Sequence, residues 1–297
     1  MAQVLMWQAT QSMQAINRCR YALLKYLELY NLQPPAAVSV IVYTDRPAWL
    51  ESFAPHFHQF AIKEVSETQL NEWKGPYGYA GRLRWEMLRE YYTYADGAIL
   101  FMEAASYPLQ PVEPVFAALD RNEVFFLKAD PLVETTSSEH RKWHRFLTTA
   151  SLSYKGSPLV MSPGLSFYHT AAIGLPQQAH QLVEDVLSLT DTLYEQLPDH
   201  KADQLASGYC LKDHAVSLSG GLLCHYENFP EFDGLLDLFF HRYAEESIPN
   251  LVKLIHRLDA AALHREKQQF EALPAYKKWL RRLTGKAWNP NAYKKKI

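Results

Sequence analysis

Asp96–Pro111 reads DGAILFMEAASYPLQP, an apolar strand-like run from Ala98 to Met102 that ends on one carboxylate, Glu103, followed by small residues. A second run, Ala37 to Thr44 (AVSVIVYT), is rich in β-branched residues and nearly continuous in apolarity, and it stops at Asp45, Arg46 and Pro47. Both read as strands, the second as one covered on both faces.

Working outward from these runs, helices and strands alternate. Val4 to Trp7 reads as a first strand, followed by a helix with apolar positions at Ile16, Leu23, Leu24, Leu27 and Tyr30 that Pro34 and Pro35 end. A helix over Arg82 to Tyr94 leads into the strand ending at Glu103. A further helix, Val112 to Leu119, leads to a strand at Glu123 to Leu127. Alternation of this kind implies an α/β fold, a mostly parallel sheet flanked by helices. Ligands collect at the carboxyl ends of such strands, so Thr44, Asp45 and Glu103 are expected to share one cleft. Beyond a polar stretch from Ala129 to Pro163, with TTSSE and KGSP as loop signals, a long amphipathic helix is expected over Gln177 to Leu197 and a shorter one over Ala202 to Leu211. From Phe232 onward the chain reads as largely helical.

Composition sets the class. With 297 residues, 48% hydrophobic and 21% charged, the chain can bury a substantial core. A net charge of −2 argues against a general nucleic-acid binder, which needs excess cations to displace counterions. Cys19, Cys210 and Cys224 are isolated, so neither a disulfide framework nor a thiolate zinc site is indicated. The start MAQVLMWQAT lacks the features of a signal peptide, and no apolar run approaches the roughly 20 residues of a spanning helix. A cytoplasmic protein is expected. After Glu271 there is no acidic residue, while Lys277, Lys278, Arg281, Arg282, Lys286, Lys294, Lys295 and Lys296 all follow. Interleaved with Trp279, Leu280, Leu283 and Trp288, these cations suit peripheral contact with the anionic inner face of a membrane, or a solvated terminal helix.

Taken in order, the segments NRCRYALLKYL, VIVYTDRPAWLESF, GPYGYAGRLRWEMLREYY, DGAILFMEAASYPLQPVEPVF, YHTAAIGLP, LVEDVLSLTDTLYEQ, ADQLASGYCL and CHYENFPEF resemble bacterial glycosyltransferases of the GT-A fold, especially the family-8-like group that uses nucleotide-diphosphate sugars. The resemblance runs from about residue 12 to 235. It implies a GT-A-like nucleotide-sugar-binding domain over 1–230, with a helical C-terminal extension and basic tail over 231–297 packed on it. Tyr43, Thr44 and Asp45 match the strand end that holds base and ribose. Arg82 and Arg84 match basic positions near the diphosphate, where a guanidinium fork suits phosphate oxygens. Gln204, with Asp203 beside it, matches the group near the transferred sugar. Glu103 and His225 match the positions that bind the metal or the diphosphate.

The chain departs from the family pattern at two places. The usual Asp-x-Asp is Glu103, Ala104 and Ala105, followed by Ser106 in place of Thr. The usual Asn-Ala-Gly is His169, Thr170 and Ala171. A cation facing a diphosphate wants several hard oxygen ligands, and the second carboxylate is missing. Glu103 with His225 and His169 is one way to rebuild a Mn2+ site; metal-free binding through Arg82, Arg84 and helix N-terminal amides is the other.

Other chemistry-bearing residues read more plainly. His140 and His144 stand at i, i+4 spacing but lack the glutamate of HExxH and a third ligand, and read as a surface helix. His56 and His58 flank an apolar Phe57 and read as surface residues. Trp73, Tyr77 and Tyr79 read as local packing, with stacking on a sugar or base as the alternative. Two functions stay open: transfer of a sugar from a nucleotide-diphosphate donor, UDP-linked by preference, to a glycan or lipid-linked acceptor; or a catalytically degenerate GT-A-like domain that binds or scaffolds in glycan assembly.

Overall fold

The computed structural model describes residues 2–132, 138–149, 152–159, 165–226, 229–289 and 291–294. Part of the TTSSE signal, Lys295 and Lys296, and the side chain of His140 fall outside the described residues.

Seven strands form the central sheet. β1 (Gln3–Ala9) lies between β2 (Val38–Thr44) and the decisive strand, while β3 (Phe60–Glu64) extends the sheet beyond β2; all pair parallel. The decisive strand, β4, covers Ala98–Glu103 and runs parallel to β1 on its other side. Ala172–Leu175 then enters antiparallel beside β4, followed by Val124–Phe126 and, at the edge, Val216–Leu218, which runs parallel to Val124–Phe126. The expected architecture therefore forms, a mostly parallel sheet with one reversed strand.

Successive side chains of a strand point to opposite faces, and here each face has its own apolar cluster. Leu5, Trp7 and Ala9 of β1 join Leu100 and Met102 of β4 on one side; Val4 and Met6 join Ile99 and Phe101 on the other. On the first side lies α1 (Met13–Leu29), whose N-cap Ser12 accepts from the Ala15 N–H at 3.1 Å. On the second side α2 (Glu67–Trp73) and α3 (Arg82–Tyr94) contribute Leu70, Trp73, Leu83 and Trp85. Helix α4 (Glu113–Asp120) returns to the first side. Helix α5 (Ser138–Thr149) buries Trp143 and Leu147 on the second side. Helices α6 (His180–Gln196) and α7 (Ala202–Cys210) complete that layer.

The last part of the chain is helical. α8 (Pro230–Arg242), α9 (Ile248–Ile255) and α10 (Ala260–Glu271) bury Phe232, Leu236, Leu251, Ile255 and Leu263 in the α1-side cluster. Arg18 on α1 holds Asp233 on α8 in a two-pronged ion pair, with Nε–Oδ1 at 2.7 Å and NH2–Oδ2 at 2.6 Å. Helix α11 (Ala275–Leu283) buries none of its residues. Trp288 corrects the expected membrane stripe, since its ring packs on the core 5.9 Å from that of Phe229. No described helix is long and apolar enough to cross a membrane.

Candidate functional site

The register of the sheet aligns three strand ends. Ala9 pairs with Thr44, and Gln8 pairs with Glu103. The reversed strand begins at the same edge, because it runs the other way: the Glu103 N–H donates to the Ala171 carbonyl at 2.9 Å. The His169 N–H in turn donates to the Lys128 carbonyl at 2.9 Å, just past the Val124–Phe126 strand. A cleft of about 630 Å³ opens over these ends. Its lining includes Arg84, Glu103, Lys128, His169, Lys201 and Gln204.

The structure thus brings four of the expected residues, Arg84, Glu103, His169 and Gln204, into one space. Arg84 NH2 lies 2.8 Å from Glu103 Oε1, its NH1 donates to Thr170 Oγ1, and its Nε is 3.8 Å from Asp203 Oδ2. Asp203 itself lies behind the cleft wall at 1% exposure. It accepts from Tyr79 Oη and, at 2.9 Å, from Thr170 Oγ1. Buried carboxylates are tolerated when their oxygens are filled in this way. Asp203 is therefore a positioning residue for Arg84 and α7, while Gln204, one residue on, faces the cleft. Burial, and then the neighbouring Asp203 charge, raise the Tyr79 hydroxyl far above the usual tyrosine range. It therefore acts as a fixed donor.

Ser106 and His225 meet beneath the same edge. Ser106 Oγ, fully buried, contacts the Ala171 carbonyl at 3.2 Å and His225 Nδ1 at 2.9 Å. If the hydroxyl proton goes to the carbonyl, His225 donates from Nδ1. The two short strands Ser106–Pro108 and Leu223–His225 pair antiparallel and deliver this contact. The His169 and His225 rings stand 5.2 Å apart, edge to face.

Beyond Asp203, Ser106 and His225, further expected residues do not line the cleft. Tyr43 points into the α3-side cluster, with Oη 3.4 Å from Glu90 Oε1. Thr44 is fully buried and its Oγ1 accepts from the Arg46 N–H at 3.1 Å. Arg82 turns to the other side of α3, where NH2 meets Glu86 Oε1 at 2.6 Å, NH1 meets Asp191, and Nε donates to the Trp73 carbonyl at 3.1 Å. Asp45 is also absent from the lining; its Oδ2 accepts from the Gln11 N–H at 3.2 Å and ties the β1 turn to the β2 end. Thr44 and Asp45 sit two strands from Glu103, roughly 10 Å along the same edge.

The residues do not fit a divalent cation. Ala105, where a second carboxylate would stand, is 4% exposed and belongs to the apolar cluster, and Glu103 is already paired with Arg84. Among the described residues no group of three or more His, Cys, Asp or Glu is placed to hold a metal. Lys128, Asp130, Asp199, His200 and Lys201 are cleft residues that the sequence reading missed. Their positions carry a signal in retrospect: the first two follow a strand end and the others open the ADQ helix. In the aromatic loop Trp73 lies against Tyr43 at 6.2 Å, while Tyr79 stacks on Tyr194 at 4.3 Å and both of these rings line the cleft.

No protein-family model matches the chain, and neither does any curated protein. Among solved structures, the chain is similar to the galactosyltransferase LgtC in complex with donor and acceptor sugar analogues, at 13% identity and a TM-score of 0.48 over 73% of each chain. It is also similar to mouse xyloside xylosyltransferase 1, at 10% identity and a TM-score of 0.46 over 72% of this chain and 83% of that one. An active-site mutant of LgtC gives 12% identity and a TM-score of 0.47 over 76% and 87%.

Proposed function

We propose that the protein is a glycosyltransferase that takes a sugar from a nucleotide-diphosphate donor, UDP-linked by preference, and passes it to a glycan or lipid-linked acceptor. The observation that carries this reading is the convergence of Arg84, Glu103, His169 and Gln204 in one cleft at the carboxyl edge of the sheet. In this reading the nucleoside lies over the half-buried Asp45 at the end of β2, with Thr44 buried beneath it, and the diphosphate extends roughly 10 Å along the edge to Arg84. Gln204 faces the sugar. As the bond from sugar to diphosphate lengthens, charge grows on the leaving diphosphate, and fixed cations and N–H groups around it stabilise that charge more than they stabilise the bound donor. The exposed, cationic α11 suits contact with a membrane that carries a lipid-linked acceptor.

A second reading is favoured by Ala105, whose burial in the core removes the usual second carboxylate: a domain that binds the nucleotide sugar and does not transfer it. Thermal-shift titration with UDP, GDP, CDP and their sugars tests the donor site. A matching nucleotide at a hundred times its Kd stabilises the fold by about 2.7 kcal/mol; no stabilisation by any of them would rule the donor site out. Release of free nucleoside diphosphate from the stabilising donor then separates transfer or hydrolysis from binding alone.

A further inference from the structure

In the cleft, the strand-end carboxylate and its nearest cation are already matched. Arg84 spans Glu103 and the buried Asp203, with contacts of 2.8 Å and 3.8 Å, and Thr170 fixes its third side. A divalent ion linking Glu103 to a phosphate would compete for the same carboxylate oxygens and meet the Arg84 charge. It would also need several hard oxygens, and the neighbouring position offers only the buried methyl of Ala105. Arg84 cannot carry a diphosphate alone, because one positive charge stands between two carboxylates. Lys128, 56% exposed and 3.7 Å from Asp130 in a solvent-screened pair that a phosphate can displace, and Lys201, with Nζ 5.4 Å from the Phe167 ring, add two cations to the same cleft.

We infer that this chain supplies its own cations to the phosphates of its ligand, Arg84 from the back wall and Lys128 and Lys201 from the mouth, so that diphosphate binding requires no divalent metal. The inference rests on the donor-site reading above and adds to it which groups meet the phosphates. A guanidinium has five N–H donors in a planar fork whose geometry suits phosphate oxygens. Lysine ammoniums act as point charges whose attraction for phosphate falls with salt.

The test is isothermal titration of UDP and of inorganic pyrophosphate into the full chain, in chelator and in Mn2+, with Mn2+ alone as a third titrant. UDP is expected to bind with a Kd equal within about twofold in the two conditions, and about tenfold or more weaker in the Lys128→Ala/Lys201→Ala double variant. Both lysines are outside the core, so that variant keeps its fold, which its melting temperature checks. Binding of UDP only in Mn2+, or uptake of Mn2+ alone that Glu103→Gln abolishes, overturns the inference and leaves the donor site standing. Full UDP affinity in the double variant also overturns it. Absence of UDP, GDP and CDP binding in both conditions overturns the inference and the donor site together.

Discussion

Arg82 and Arg84, two positions apart on α3, serve different structures: Arg82 is locked between Glu86 and Asp191, whereas Arg84 reaches Glu103 in the cleft. A helix advances about 100° per residue, so i and i+2 project about 200° apart. Burial pushes the Arg82 guanidinium down, but its bonds to Asp191 and Glu86 outweigh that and raise it above the ordinary arginine value.

The two arginines are therefore separable by mutation. Arg82→Met should lower stability by about 1–3 kcal/mol, because Glu86, at 2% side-chain exposure, loses one of its two arginine partners and keeps Arg89. The folded fraction should keep its nucleotide affinity. Arg84→Gln should weaken nucleotide binding about tenfold or more; Glu103, 26% exposed, rehydrates, while the buried Asp203 keeps its Tyr79 and Thr170 donors, so the variant should still fold. Urea melts and titrations of both variants check this, and equal effects of the two on affinity would contradict the assignment.

The placement of α7, which carries Asp203 and Gln204, depends on Gly208. A Cβ there would lie 2.0 Å from the Ser166 carbonyl oxygen. Gly208→Ala should push α7 off the Ser166–Tyr168 strand, costing about 1–3 kcal/mol by overpacking and weakening whatever ligand Gln204 contacts. Gly234 on α8 is the control, as nothing lies within 4 Å of its added Cβ. Gly234→Ala should stabilise by about 0.5–1 kcal/mol through helix propensity. Thermal melts that reverse this order would show that α7 does not pack as closely as described.

Much of this was legible in the sequence. Ala98–Glu103 and Val38–Thr44 form where the apolar runs lie, and α3 has the bounds its pattern predicts, since long periodic segments bury a whole face. Phe60–Glu64 was missed because an edge strand keeps alternate residues in solvent and loses its apolar run. Ala172–Leu175, inside YHTAAIGLP, carries no strand signal of its own. Four residues are too few to show a period, and their reversed direction is a tertiary property. For the site, strand ends predicted Glu103, but pairing Arg82 with Arg84 ignored the rotation of the helix. Lys128 becomes a site residue only through the pairing of segments distant in sequence, and Lys201 only through where α7 begins.

Asp199, on the rim of the cleft, gives the site a dependence on acid. Burial pushes its carboxyl up, but the Lys142 ammonium at 2.8 Å and the Lys201 N–H at 3.0 Å outweigh this and hold it below the usual carboxylate range. A depressed folded pKa contributes stability that is fully present above the unfolded value, about 3.9, and is lost as pH falls through the folded value. Lys142→Ala should therefore lower the melting temperature at neutral pH, with the difference from the parent shrinking to nothing in strong acid. A difference that persists unchanged at the lowest pH would assign Lys142 a packing role in place of the charge.

Helix α11 makes a prediction about location. Tyr276, Trp279, Leu280 and Leu283 are 66%, 61%, 54% and 65% exposed, and their i, i+3, i+4, i+7 spacing makes one apolar stripe. Lys277, Lys278, Arg281 and Arg282 flank it. An apolar stripe edged by cations matches the boundary of an anionic bilayer, where each cation near the surface contributes ~1 kcal/mol. The protein should co-sediment with vesicles containing anionic lipid, less with zwitterionic vesicles, and less again at high salt. Lys278→Glu/Arg282→Glu should remove the lipid-charge preference, and Trp279→Ser should weaken binding at every charge density. Trp288→Ser serves as the contrast, because its ring packs on the core near Phe229: it should cost stability and leave any residual folded protein with the same lipid preference. If vesicles of neither kind bind the protein while its sedimentation in solution shows concentration-dependent pairing that Trp279→Ser abolishes, the stripe is covered by a second copy of α11 and not by lipid.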